Sequence, residues 1–210
     1  SHPSANPCTT WHRSSADRGN PSGNPQYPED LTALPLPHIP VGGRLQHIHQ
    51  KWLALGAEDW VLSIISRGYK LTFRELPPLR KDPRFFPLPR DPHKRELLHQ
   101  EVMDLLSKNA LEEVRDPGPG FYSLIFLVQK KSGSWRPVTD LSSLNKFLDI
   151  PRFRMETTRT VYESLKLNHW CTSIDLKDAY LHIPVHPHHR KFLRIGYRGK
   201  VFQFKVLPFG

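Results

Sequence analysis

Apolar positions in the first half of the chain recur at helical spacing in three places. Residues 44–56 predict a short first helix, and Asp59 is placed to cap a second helix that ends at Gly68. From Lys94 the apolar side chains again fall on one face of a helix, with Asn109 as a left-handed stop. The pattern therefore predicts a helical pair followed by a longer helix.

Beyond that helix the pattern changes to short apolar runs separated by turns. Residues 122–130 and 135–141 predict a hairpin closed by a turn at 132–134, and residues 192–197 and 201–207 predict a second one. Between them we expect a helix over 157–167, a strand over 170–174 and a helical turn over 178–183. No internal repeat is present, and the fold class predicted is α+β.

Proline content divides the chain. Ser, Asn, Gly and Pro dominate residues 1–40, where no apolar period can be followed, so we expect that stretch to be disordered. Six prolines between residues 74 and 93 exclude regular structure and predict an extended connector. The resulting division is 1–40 disordered, 41–73 helical pair, 74–93 connector and 94–210 main domain.

Because the chain starts at Ser1 and stops at Gly210 after an apolar run, we expect a fragment of a longer protein.

Charge and cysteine usage narrow the class of protein to which the chain could belong. The formal net charge of +10 suits a polyanionic partner. Two distant cysteines give no disulfide framework, and neither a membrane span nor a signal peptide is evident, which predicts an intracellular protein in the cytoplasm or nucleus. Residues 186–205 contain six Lys or Arg and no acid, interleaved with aromatics. This stretch fits a strand pair facing nucleic acid, and it fits equally well a half-buried hairpin with a solvated basic face.

Three segments carry candidate chemistry. Asp175 follows an apolar run and precedes a turn, where a carboxylate could hold a hard cation; taken alone, such a residue is more often a cap or surface group. Arg136 follows Trp135 near a lysine-bearing turn and could clamp phosphates, or belong to an ordinary solvated turn. Residues 202–210 form a strand ending in Pro-Phe-Gly that could approach a flat base. A group of four histidines between residues 182 and 189 matches no zinc spacing, and we interpret it as a solvated turn.

In this order the segments resemble the successive motifs of reverse transcriptases. The matching runs are Trp-Arg-Pro-Val-Thr-Asp-Leu at 135–141, Leu-Asn-Lys at 144–146, Asp-Leu-Lys-Asp-Ala-Tyr at 175–180 and Leu-Pro-Phe-Gly at 207–210. The resemblance extends from about residue 94 to 210. Residues 42–65 also resemble the region preceding this domain in DIRS-type retrotransposon polyproteins. The resemblance implies the fingers and partial palm of a right-hand polymerase.

The resemblance also implies roles for individual residues. Asp175 would be a catalytic Mg²⁺ ligand, joined by the carbonyl oxygen of Leu176, and Tyr180 would lie beneath the sugar of a deoxynucleotide and exclude a 2′-hydroxyl. Triphosphate contacts would come from the amides of Asp178 and Ala179, from Arg136 and from a hairpin lysine, where Lys131 fits the spacing better than Lys130 without excluding it. Phe209 would contact the nucleotide or the template. Basic side chains expected to face nucleic acid are Lys130, Arg190, Lys191 and Arg194.

One expected motif does not occur in these residues. Two-metal phosphoryl transfer requires several carboxylates, and the Tyr-x-Asp-Asp sequence of the family is not among the 210 residues. We therefore expect the isolated chain to lack polymerase activity, whereas its parent would copy RNA into DNA with Mg²⁺, a template-primer and deoxynucleotides. The alternatives are a non-catalytic nucleic-acid-binding remnant of a transposable element and a basic scaffold that binds nucleic acid weakly and without salt dependence.

Overall fold

The computed structural model describes residues 39–131, 133, 135–150, 155–167, 169–170 and 175–209. Nearly all of the N-terminal stretch predicted to be disordered, and most of the strand predicted over 170–174, therefore lie outside the described residues. In the part that is described, no helix is both long enough and apolar enough to cross a membrane.

The first half of the described chain contains the predicted helices, and the longest of them packs into the core. The predicted helical pair appears as a 3-10 turn at Arg44–Ile48, α1 at His49–Ala54 and α2 at Asp59–Arg67. Helix α3 covers Pro92–Ser107 and turns Leu98, Val102 and Leu105 into the core. It begins two residues earlier than predicted because proline is tolerated at the first helical position and Asp91 accepts a hydrogen bond from the His93 amide.

Several predicted helix boundaries are confirmed and one is wrong. Asn109, just after α3, has a φ of 59° and is the left-handed stop expected, and Gly68 ends α2 as predicted, with a φ of 90°. Asp59 is the first residue of α2 and not its cap; Glu58 holds the cap position and makes no side-chain capping bond. Thr157 caps α5 at Thr158–Ser164 through its hydroxyl.

The strands form two antiparallel sheets. Strands β2 at Leu124–Gln129 and β3 at Trp135–Asp140 make the first predicted hairpin, which is confirmed. Strands β4 at Arg194–Tyr197 and β5 at Lys200–Phe204 make the second, and the unpredicted strand β1 at Leu111–Glu113 joins the free edge of β5. Along the chain, the segment from β3 to β4 contains α4 at Ser142–Asn145 and 3-10 turns at Ala179–His182 and Pro187–Phe192. The mixed helix and sheet class is therefore confirmed.

Isolated bridges tie the proline-rich connector and the segment before it to the rest. Tyr69 pairs with Val185, Phe73 with Leu148, and Arg80 with Gly120. The core beneath them is continuous from α3 to β4 and β5, and its most enclosed side chains include Leu98, Ile195, Phe204 and Val206. The connector is thus irregular in backbone, as predicted, and hydrogen bonds hold it at Arg74 and Arg80.

Candidate functional site

Two of the predicted nucleotide-site residues lie side by side. The rings of Tyr180 and Phe209 meet edge to face, with centroids 5.1 Å apart and planes at 88°. Each is about half exposed, at 52% and 48%, so together they offer an aromatic surface that is not filled by the protein's own core. An edge-to-face pair of this kind stabilises each ring's position while leaving a face open for stacking.

This aromatic pair is supported from both sides. Beneath Tyr180 lies an open cavity of about 220 Å³ bordered by Leu141, Leu144 and Pro208. On the other side, Phe209 shares a small cavity of about 40 Å³ with Pro137, Val138 and Thr139 of β3. The strand that carries Arg136 therefore lies against Phe209, which brings the first hairpin and the last segment to one surface.

The basic residues of the first hairpin lie on its exposed surface. Arg136 is exposed on β3, opposite Val128, and both Lys130 and Lys131 are exposed beyond the end of β2. The ring of Trp135 is covered by the Lys94 ammonium group, 4.0 Å from its centroid, which anchors the strand next to Arg136 by a cation–π contact. These positions leave the charges available to an anionic partner.

Asp178 shows how the turn before Tyr180 is held. Its φ of 55° is left-handed, its carbonyl accepts from the Leu181 amide at 2.9 Å, and its carboxylate pairs with Lys108 Nζ at 3.1 Å. Among the described residues, no acceptor is bonded to the amide N–H of Asp178 or Ala179. The salt bridge thus ties the turn to the end of α3 while its amides remain open.

Lys108 belongs to a small charged cluster that the sequence analysis missed. Lys108 Nζ also contacts Asp104 at 2.7 Å, and Glu101 lies one turn further back and borders the cavity under Phe209. Partial burial lowers the pKa of Lys108, but hydrogen bonds and attraction to both aspartates outweigh it and leave the pKa raised. Burial, reinforced by Asp104, raises the pKa of Glu101. The i, i+4 spacing of Asp104 and Lys108 was visible in sequence; the long-range partner Asp178 was not.

Asp175 and Leu176 are both exposed, and Leu176 is 69% accessible. One carboxylate and one carbonyl are oxygen donors of the kind Mg²⁺ prefers, but they are too few for a two-metal site. Within the described ranges, no group of three or more His, Cys, Asp or Glu side chains is arranged to hold a metal ion. These residues fit a partial metal site only.

Two of the basic residues predicted to face nucleic acid make hydrogen bonds inside the fold. Arg194 is 7% exposed, and its Nη1 donates to the carbonyl oxygens of Pro117 and Gly118 at 3.1 and 2.6 Å. Arg190 donates to Glu112 at 3.1 Å and to the Val185 carbonyl at 3.2 Å. Both guanidinium groups are used inside the fold, so their positions do not favour the nucleic-acid contacts predicted for them.

Lys191, in contrast, is exposed, and its ammonium group lies 5.4 Å from the ring of Phe192. It is the one residue of the three predicted in this stretch whose charge remains at the surface. The histidines nearby are not a simple solvated turn, because His189 is partly buried and its Nδ1 accepts a hydrogen bond from the Leu71 amide at 3.1 Å.

Comparison with known proteins shows which family these motifs resemble. Residues 128–210 match the family model described as reverse transcriptase (RNA-dependent DNA polymerase). This part of the chain is similar to reverse transcriptases. The match covers Arg136 on β3 and also Tyr180 and Phe209, whose rings are in contact.

Retroviral polyproteins are similar to a longer part of the chain. The Gag-Pro-Pol polyprotein of squirrel monkey retrovirus is 32% identical over 116 residues, which is 52% of this chain and 6% of that protein. The Pol polyprotein of equine infectious anemia virus (strain Wyoming) is 33% identical over 141 residues, which is 66% of this chain and 12% of that protein. The chain therefore spans a small fraction of the relatives that it matches.

The fold also has a counterpart among solved structures. The crystal structure of prototype foamy virus protease-reverse transcriptase superimposes with a TM-score of 0.51 and 19% identity, over 69% of this chain and 19% of that one. At this identity the likeness concerns the fold alone. It supports the reverse transcriptase polymerase fold expected from the sequence motifs.

Proposed function

We propose that this chain supplies the fingers and the first part of the palm of an RNA-directed DNA polymerase, in which it binds the incoming deoxynucleotide. The observation that carries the proposal is the pairing of Tyr180 with Phe209 against β3, the strand of Arg136. An aromatic surface against a strand that also carries an exposed guanidinium suits a ligand with a flat base, a sugar and a triphosphate.

Each group has a definite task in this proposal. The guanidinium of Arg136 and the ammonium of Lys131, or of Lys130, bind the outer phosphates, and the open amides of Asp178 and Ala179 donate to phosphate oxygens. Tyr180 lies under the sugar, and its ring edge excludes a 2′-hydroxyl. Lys108 acts through Asp178, since the salt bridge holds the turn that carries these amides.

Mg²⁺ in the complete polymerase would be held in part by the Asp175 carboxylate and the Leu176 carbonyl oxygen. Bound there, it would neutralise charge on the transferring phosphate and assist nucleotidyl transfer. Because these 210 residues contain no Tyr-x-Asp-Asp motif, we propose that the isolated chain does not extend a primer. A primer-extension assay with Mg²⁺ and all four deoxynucleotides should show no incorporation, and Mg²⁺-dependent incorporation would contradict this part of the proposal.

Nucleotide binding can be tested without catalysis. A fluorescent deoxynucleoside triphosphate is titrated into the full chain, and its dissociation constant is compared with that of Arg136→Ala. Loss of a bidentate, charge-assisted contact should weaken binding about tenfold. The matched control is Arg159→Ala on α5, whose guanidinium is exposed and pairs with Glu163 at 2.8 Å. Equal affinity of Arg136→Ala and the unaltered chain would contradict the assignment.

Sugar recognition gives a second, independent readout. Tyr180→Val should lower the ratio of deoxynucleotide to ribonucleotide affinity severalfold, because the ring no longer blocks the 2′-oxygen. If affinity for both nucleotides falls equally, Tyr180 contributes stacking without selecting the sugar.

We further propose that the parent is a retrotransposon and that its template-primer contacts this piece through Lys130 and Lys191. The rival function, a non-catalytic nucleic-acid-binding remnant, predicts salt-dependent binding of a primer-template without saturable binding of a deoxynucleotide. A basic scaffold predicts weak binding that does not change with salt. Titration of a labelled primer-template at two salt concentrations separates these outcomes.

A further inference from the structure

Residues 41–43 precede the part of the chain that matches the family model, yet they are hydrogen-bonded to the turn that carries Tyr180. The Gly43 amide donates to the carbonyl oxygen of Leu181 at 2.9 Å. Leu181 directly follows Tyr180, and its side chain is buried and borders the small cavity under Phe209. We call residues 41–43 the glycine segment. It is attached to the residue next to the proposed sugar contact.

The glycine segment also lies next to the point where the turn region pairs with the last part of the chain. Pro184, just beyond the turn, and Val206 form an isolated antiparallel bridge. This bridge aligns the run that contains Tyr180 with the run that contains Phe209. A Cβ built on Gly43 would be in van der Waals contact with both partners, 3.8 Å from Pro184 Cβ and 3.9 Å from Val206 Cγ1.

On its other side, the glycine segment is bonded to the end of α3. The Gly42 amide donates to the carbonyl oxygen of Lys108 at 2.7 Å. Gly42 is buried, and a Cβ there would clash with the backbone of Lys108 and Asn109, so only glycine allows this close approach. The Lys108 side chain in turn pairs with Asp178 at the start of the turn. Lys108 therefore holds both the glycine segment and the turn.

Arg44 fastens the glycine segment from its own side. Its Nε and Nη2 donate to the Ile39 carbonyl oxygen at 3.2 and 2.7 Å, and its amide donates to the Val41 carbonyl oxygen at 3.1 Å. Among the described residues, the hydrogen bonds of this guanidinium go to Ile39 alone. A change at Arg44 therefore loosens the glycine segment without removing any contact to the turn.

We propose that the glycine segment is a positioning element of the nucleotide site, because its bond to Leu181 fixes the turn. The open amides of Asp178 and Ala179 and the ring of Tyr180 are then in place before a deoxynucleotide binds. Groups that are already held lose little conformational freedom on binding, so loosening the turn lowers affinity although no contacting group is removed. This inference rests on the proposed function of the site.

Amide hydrogen exchange measures the attachment without any nucleotide. The main variant is Gly42→Ala, and the matched control is Gly118→Ala, because a Cβ at Gly118 meets no atom within 4 Å and neither glycine has a positive φ. The amides of Leu181 and Ile183 are bonded within the turn region, at 2.9 and 3.0 Å. We expect them to exchange about tenfold faster in Gly42→Ala and within about twofold of the unaltered rate in the control.

Nucleotide binding then shows whether the attachment matters at the site. A labelled deoxynucleoside triphosphate and its ribonucleotide analogue are titrated into each chain at a temperature where circular dichroism shows it folded. Gly42→Ala should bind the deoxynucleotide about fivefold more weakly, and the ratio of deoxynucleotide to ribonucleotide affinity should fall about threefold. A merely structural role would lower the midpoint of unfolding and leave both values unchanged. Arg44→Met should change both values in the same direction by about twofold, and it decides the question if Gly42→Ala does not fold.

Faster exchange in the turn together with weaker and less sugar-selective binding supports the proposal. Unchanged exchange at Leu181 and Ile183, or faster exchange with unaltered affinity and sugar ratio, would overturn it. Absence of saturable deoxynucleotide binding by the unaltered chain is a different result, because it contradicts the proposed function. In that case the exchange rates still decide whether the glycine segment holds the turn.

Discussion

Replacing Arg194 with methionine tests whether the basic residues of the second hairpin act inside the fold or on nucleic acid. In the structure its Nη1 donates to two carbonyl oxygens, those of Pro117 and Gly118, and its Nε reaches Gln203 Oε1 at 3.4 Å. The side chain fits because Gly120 has no Cβ; a Cβ there would clash with Nη1. Methionine has similar length and no donors, so Arg194→Met removes the bonds with little change in volume.

The size of the effect follows from these contacts. A hydrogen bond to a charged group contributes about 1.5–3 kcal/mol, and two carbonyl oxygens lose such a donor. Part of this loss is offset, because a buried charge no longer has to be desolvated. We therefore expect the free energy of unfolding to fall by about 3 kcal/mol, a large share of the roughly 5–15 kcal/mol typical of a domain.

Urea unfolding followed by circular dichroism measures the change. With a slope of about 2 kcal/mol per molar, the midpoint should fall by roughly 1.5 M. The matched control is Lys191→Met, which alters an exposed neighbour and should shift the midpoint by less than about 0.3 M. If Arg194→Met is too unstable to fold, Arg194→Lys keeps one charged donor and should show an intermediate loss.

Two results would refute this reasoning. Equal midpoints for Arg194→Met and the unaltered chain would show that the internal bonds contribute nothing. A folded Arg194→Met that loses primer-template affinity more than Lys191→Met does would show that the guanidinium contacts nucleic acid after all.

Three further changes have definite expected outcomes. Gly196→Ala places a Cβ against the Arg84 carbonyl oxygen, which is backbone and cannot turn away. The free energy of unfolding, measured by thermal unfolding, should therefore fall by about 1–3 kcal/mol. Burial, together with nearby positive charge, lowers the pKa of His189, whose Nδ1 accepts a hydrogen bond from the Leu71 amide. The stability of the fold should therefore decrease as pH drops below the unfolded pKa of 6.5. His189→Asn should flatten that part of the profile of stability against pH. The pKa of Glu101 is raised, so the folded chain retains this proton to higher pH than the unfolded chain. Glu101→Gln should therefore be more stable than the unaltered chain at pH 7 and equally stable well below pH 4.5. Lower stability of the variant at pH 7 would contradict this prediction.

The long helix and the first hairpin were predictable because their signals are local. Apolar spacing places Leu98, Val102 and Leu105 on one face of α3, and the turn residues between β2 and β3 mark the hairpin. The helix stops at Gly68 and Asn109 were equally visible, since both have positive φ and few residue types adopt it. In each case the interactions that form the element lie within a few residues of one another.

Strand β1 was not predictable in this way. Its three residues carry no pattern of their own, and they are a strand because Leu111 pairs with Phe204, far along the chain. The same holds for Lys108, whose ion pair with Asp178 joins the end of a helix to a distant turn. The motif order in sequence identified Tyr180 and Phe209 as candidates, but their contact depends on packing between β3 and the last segment.

By itself the sequence determined the kinds of element, their order and the motif residues, because propensity, turn chemistry and residue type act over short distances. Tertiary structure alone decided which charges remain at the surface. Arg194 and Lys191 lie close together in one basic stretch, yet one is enclosed by the carbonyl oxygens of residues 117 and 118 and the other is exposed. The physical reason is that burial depends on what distant backbone packs against a side chain, and no local pattern encodes that.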